Sequence, residues 1–150
     1  MHLDKYALSA EGDLTTFEFI IEGRRGAIRK LIIFQETTEP NLYNLAFGDR
    51  NETTGELNDL AVSDNGDSEK VLATVVGALY SFFDKYPAAF VYATGSTSAR
   101  TRLYRMGIHR FLPEVMTDFH LYGQIGDFFH EFEPNIAYDG FLVQRNLLNL

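Results

Sequence analysis

The 150-residue chain carries a formal net charge of −8, has no cysteine, and is 45% hydrophobic. That composition excludes disulfides and thiolate metal sites, is too apolar for global disorder, and argues against a general nucleic-acid coat, which needs clustered lysine and arginine. No apolar run approaches the ~20 residues that cross a bilayer, and Met1-His2-Leu3-Asp4-Lys5-Tyr6 has no basic segment leading into an apolar one, so a cytoplasmic chain without a signal peptide is expected.

One α+β domain spanning 1–150 fits this length, with about two-thirds of the unfolded chain's surface buried on folding. Thirteen Phe and eight Tyr suit a sheet-rich interior, because aromatic rings pack well on pleated surfaces. From Tyr6 to about Gly48 the hydrophobic period is mostly two. Thr15–Ile21 alternates, Glu22–Gly26 makes a turn, and Ala27–Gln35 runs extended with Ile28, Lys30, Ile32 and Phe34 on one face. Asn41–Gly48 gives another strand, and turn residues punctuate the boundaries as an antiparallel meander requires. The polar stretch Asp49–Glu56 reads as a hairpin tip returning as a strand over Leu57–Val62.

The period then changes. Between Asp67 and Tyr86, Val71, Leu72, Val75, Val76, Leu79, Phe82, Phe83 and Tyr86 recur at three- and four-residue spacing, which predicts the longest helix of the chain. Asp64–Ser68 offers N-caps and Pro87 stops the run. A buried strand follows over Ala89–Ala93, then a second helix from about Thr97. Arg110–Thr117 reads as a short helix despite Pro113, Phe119–Gly123 and Gly140–Arg145 as closing strands, and Leu147–Leu150 as an apolar terminus needing cover. Phe128–Glu133 mixes acids with aromatics and reads either as a docking edge or as packed core. The expected fold is therefore α+β: a mostly antiparallel twisted sheet with one long helix and one or two short ones.

The turn between the strand Ala89–Ala93 and the second helix is the one place where an anion is invited. Thr94, Gly95, Ser96, Thr97 and Ser98 present hydroxyls and helix-start N–H groups beside Arg100, in an otherwise acidic chain. Equally, serine and threonine are ordinary helix caps and Gly95 an ordinary turn. Around this helix, at about 100° per residue, Ala99, Leu103 and Met106 share a core-facing side. Arg102 and Arg105 lie roughly opposite, as a solvated face or a contact for an acidic partner, with Arg100 and Tyr104 on one flank. The first turn of the long helix carries Asp64 and Asp67, which suit the helix dipole but repel a phosphate. The acids Asp59, Asp64 and Asp67 lack the spacing of a calcium loop, and His2, His109, His120 and His130 form no ligand pair, so no metal site is expected. Nucleophile elbows, Walker A lysines and dinucleotide-binding glycine patterns are absent, so no cofactor is expected.

Two resemblances accompany these residues. Tyr43–Asp49, Asn65–Val75 and Tyr92–Thr97 continuing through Arg100–Ile108 make nearly the whole chain resemble an uncharacterised bacterial family of small domains of unknown function, which implies no established activity. The order of elements, with a short helix ending in Leu103-Tyr104-Arg105-Met106-Gly107-Ile108, is similar to the core of GNAT acyltransferases. That resemblance implies a tyrosine able to protonate a departing coenzyme A thiolate, and the role falls on Tyr104. Tyr104 stands one residue closer to Gly107 than the family pattern, and Asp64-Asn65-Gly66-Asp67 replaces the pyrophosphate-binding loop. The GNAT-like expectation is thus a fold without coenzyme A binding. The functional expectation is a non-catalytic interaction protein of antitoxin or immunity type. A protein partner or second copy would meet Arg102 and Arg105, a small anion would sit at Thr94–Arg100, and nucleic acid is disfavoured. The alternative is a divergent acyltransferase, or another enzyme acting on an anionic small molecule.

Overall fold

The structure is a computed structural model that describes residues 5–23, 26–50, 53–54, 57–58, 68–94 and 98–146. After a two-residue strand β1 (Ser9–Ala10), strands β2 (Thr16–Gly23), β3 (Gly26–Glu36) and β4 (Leu42–Arg50) pair antiparallel in chain order. Alternation sets the register. Phe17 faces Ile32 and Phe34 faces Leu45 across neighbouring strands, and all four side chains are buried. Slipping any strand by one residue would turn these side chains to water, so the pairing is strongly specified.

Strand β5 (Leu57–Asn58) pairs the end of β4, and the rest of the expected return strand, Asp59–Val62, lies outside the described residues. Helix α1 (Ser68–Lys85) then crosses over to β6 (Phe90–Ala93), which lies parallel to β4. A helical crossover permits this parallel placement where a hairpin would not. Pro87 sits just beyond the helix, as the sequence requires. Helix α2 (Ser98–Arg110) and helix α3 (Leu112–Asp118) precede β7 (Phe119–Ile125), β8 (Phe128–Glu131) and β9 (Gly140–Arg145). Pro113 is accommodated in the first turn of α3, where its missing N–H breaks no helical bond.

The strand order is β1-β2-β3-β4-β6-β9-β7-β8, with β5 alongside β4, giving a mixed, mostly antiparallel open sheet and an α+β fold. Strand β9 enters between β6 and β7, antiparallel to both. Alternate strand residues join Val71, Leu72, Ala73, Val75, Ala78, Phe82 and Phe83 of α1 and Tyr104 of α2 in the core. Aromatic rings carry much of it: Phe34 and Phe82 stack with centroids 4.2 Å apart, and Tyr43 meets Phe82 edge-on at 4.9 Å. Thr74, fully buried on α1, accepts the Tyr6 N–H at 2.8 Å and donates to the Lys70 carbonyl at 2.8 Å. That pair of bonds fastens the N-terminal segment to the helix. Among the described residues no helix is long and apolar enough to cross a membrane.

Candidate functional site

Of the predicted anion turn, Gly95, Ser96 and Thr97 lie outside the described residues, as do the side chains of Ser98 and Arg100. Thr94 is placed, and its hydroxyl donates to the Asp139 carbonyl at 3.1 Å, tying the end of β6 to the approach of β9. The acidic bend Asp64–Asp67 and the tail Leu147–Leu150 also lie outside the described residues.

Helix α2 corrects the expected orientation. Met106 does not face the core; it is 51% exposed. Tyr104 does not sit on a flank; it is buried, together with Gly107 and, one turn on, Phe111. The cause is a close approach between helices. A Cβ on Gly107 would stand 2.8 Å from Leu72 Cδ2, so α2 presses its glycine onto α1. With Gly107 inward, residues three before and four after follow it, and Met106, one step of about 100° away, turns out. Arg102 is exposed and Arg105 is half-buried. The side chains of Ala99 and Leu103 lie outside the described residues.

Arg105, Met106, His109 and Arg110 form one wall of a groove of about 680 Å³. Phe132, Pro134, Asn135, Ile136 and Ala137, from the connection between β8 and β9, form the other wall, and Leu72 of α1 the floor. The far wall is held in place by Tyr138, a buried ring whose hydroxyl accepts the Glu133 N–H at 3.0 Å and which packs against Phe132 and Phe141. Asn135 adopts φ 67°, a conformation that asparagine tolerates better than most side chains. Sequence reasoning named Arg105 but missed the groove. Its two walls are some thirty residues apart, and no local pattern joins them.

Tyr104 borders a second, inner cavity of about 70 Å³, lined by Leu45 of β4, Ala93 of β6 and apolar residues of α1, α3, β7 and β9. The pairing of β4 with β6 runs from Leu42–Asn44 against Phe90–Tyr92, so Leu45 and Ala93 mark where the two strands stop pairing.

Two polar clusters are structural in character. Lys30, 3% exposed, lies on the core face of β3, paired with Asp49 across the β3–β4 ladder and 5.7 Å from the Phe47 ring. The alternating run places Lys30 on the same face as Ile32 and Phe34, both of them buried. Tyr80 of α1 donates its hydroxyl to Asp118 at the end of α3. Burial pushes the Tyr80 phenol well above its usual range, the Asp118 hydrogen bond and charge add to this, and nearby Arg145 opposes it. Among the described residues no group of three or more His, Asp or Glu is placed to hold a metal ion.

Residues 2–146 match the model of a family of unknown function, DUF6934, and the chain belongs to that family. No curated protein and no solved structure matches the chain.

Proposed function

We propose that the protein is a non-catalytic binding protein, of the antitoxin or immunity kind, that takes an extended segment of a protein partner onto the free edge of β8. One observation carries this reading. Strand β8 pairs with β7 on one side, no described strand covers its other side, and all four of its residues are exposed, with Phe128 at 71% and Phe129 at 45%. Ile125, at the hairpin beside it, is exposed as well. Sheet edges are commonly guarded by lysine, proline or a bulge, because their open N–H and C=O groups recruit other strands. Phe128-Phe129-His130-Glu131 has neither lysine nor proline. Strand addition would supply main-chain hydrogen bonds for affinity and seats for alternate side chains on Phe128 and Phe129 for selectivity. Arg102, exposed on α2, would meet an acidic surface of the same partner.

The test compares the wild-type protein with Phe128→Lys/Phe129→Lys, by affinity capture from native lysate and by light scattering after size exclusion. Retention of a stoichiometric partner, or dimerisation, that the variant abolishes without loss of thermal stability is the expected result. A lone monomer from both proteins sinks the reading.

A second reading, a divergent acyltransferase of GNAT type, draws on the position of Tyr104 where β4 and β6 stop pairing. There its hydroxyl would protonate a departing thiolate. The inner cavity of about 70 Å³ is far smaller than the roughly 300 Å³ at which ligand pockets begin, which ranks this reading second. Calorimetric titration with acetyl-coenzyme A decides it: no heat of binding removes the reading. Binding that Tyr104→Phe leaves intact while turnover falls would promote it.

A further inference from the structure

We propose that the groove between α2 and the β8–β9 connection is a binding site for a small amphiphile with an anionic head and an apolar tail. The site is separate from the free edge of β8, so it stands or falls independently of the partner reading above. Its size, about 680 Å³, lies within the range of roughly 300–1,000 Å³ typical of small-molecule sites.

The charge of its walls selects the head group. Arg105 and His109 are four residues apart on α2, as are Met106 and Arg110, so the four make two adjacent columns on one face of the helix. Helix α2 contains four arginines and no acid, within a chain of net charge −8, and among the described residues no acid lines the groove. An anion entering there meets guanidinium donors, which bind carboxylate and phosphate oxygens through paired N–H groups. A cation meets repulsion.

The remaining surface selects the tail. Phe132, Pro134, Ile136 and Ala137 face the basic wall, Leu72 closes the floor, and Met106, exposed between the basic side chains, adds an adaptable apolar contact. A fully polar anion would leave these groups wet, while a neutral hydrocarbon would make no use of the Arg105 guanidinium. An amphiphile satisfies both walls.

Decanoate, kept below its micelle-forming concentration, is the probe, with decyl phosphate as the second anionic head and decyltrimethylammonium as the cationic control of equal chain length. Titration calorimetry is expected to show one site for decanoate or decyl phosphate and none for the cation, and the stronger of the two identifies the preferred head. Arg105→Gln should weaken binding about tenfold, the size of one charge-assisted contact. Ala137→Trp, at an exposed position on the far wall, should abolish it by filling the groove. Should the tryptophan disturb the fold, Met106→Glu, also at an exposed position, replaces it and should weaken binding by setting a carboxylate among the basic groups. The proposal is overturned if the cation binds as well as the anions, if neither anion binds, or if the variants keep wild-type affinity.

Discussion

Gly123 on β7 and Tyr138 in the β8–β9 connection occupy one space: a Cβ on the glycine would stand 2.3 Å from Cδ1 of the tyrosine ring and 2.5 Å from its Cγ. The ring lies against the strand backbone where a side chain would otherwise be. The backbone ladder of β7, paired on both sides, resists movement, so the ring must move instead.

Gly123→Ala should therefore destabilise the protein by about 1–3 kcal/mol, the usual cost of overpacking a filled core. Displacing Tyr138 also releases the Glu133 N–H it accepts and loosens the wall formed by Phe132–Ala137. Urea titration should report the stability loss, and decanoate binding should fall with it. An unchanged urea midpoint would show that the ring has room to give way.

Lys30 and Asp49 form a pair that is costly to break on one side only. Asp49→Ala leaves a buried ammonium and should cost about 2–3 kcal/mol, somewhat under the ~3–5 kcal/mol of a fully buried pair because the Asp49 side chain keeps some solvent contact. Replacing both, as Lys30→Met/Asp49→Leu, should recover most of that loss, since Phe19, opposite residue 30 on β2, and the nearby Phe47 ring are buried apolar neighbours for the methionine. A double variant no more stable than Asp49→Ala would contradict this account.

Tyr80, like Tyr43, has a phenol pushed up by burial and so contributes stability that is lost at alkaline pH. Its folded-state pKa lies above the unfolded value of about 10, so the unfolded chain gives up this proton first. The contribution is complete below about pH 10 and is lost as pH rises beyond it. Tyr80→Phe should thus flatten the fall in stability above pH 10, and at neutral pH should cost about 1–2 kcal/mol for the lost bond to Asp118. Urea denaturation at pH 8, 10 and 11 measures both effects. Identical slopes for the two proteins above pH 10 would rule the linkage out.

Thr74→Val keeps the shape of a fully buried side chain and removes its hydroxyl. The Tyr6 N–H and the Lys70 carbonyl each lose a partner, so a cost of about 1–2 kcal/mol is expected. Amide exchange at Tyr6 should quicken far more than exchange in the β3–β4 ladder. Equal changes at both places would mean that the N-terminal segment is held by other contacts.

Much of the fold was legible because secondary structure leaves a local period. The alternation of Phe17, Phe19 and Ile21, the three- and four-residue spacing from Val71 to Phe83, and Pro87 after the helix each read correctly from neighbours a few residues away. The parallel contact of β4 with β6 and the insertion of β9 between β6 and β7 carry no such mark. They follow from where α1 delivers the chain and from which edges remain open. Helix α2 shows the limit most clearly. Its own pattern pointed Met106 inward, yet Gly107 settles against Leu72 and rotates the whole stripe to Tyr104, Gly107 and Phe111.

By itself, then, the sequence determined an acidic α+β chain without cysteine, its long amphipathic helix, its buried strands and the cluster of arginines on α2. The tertiary structure decided which α2 residues meet Leu72, that Arg105, His109 and Arg110 face the mostly apolar connection between β8 and β9, and that Phe128 and Phe129 stand on an uncovered edge among the described strands. The division is physical: periodicity records the burial that each segment needs, whereas a groove or an open edge arises from the distant segments that happen to supply that burial, or to leave it unsupplied.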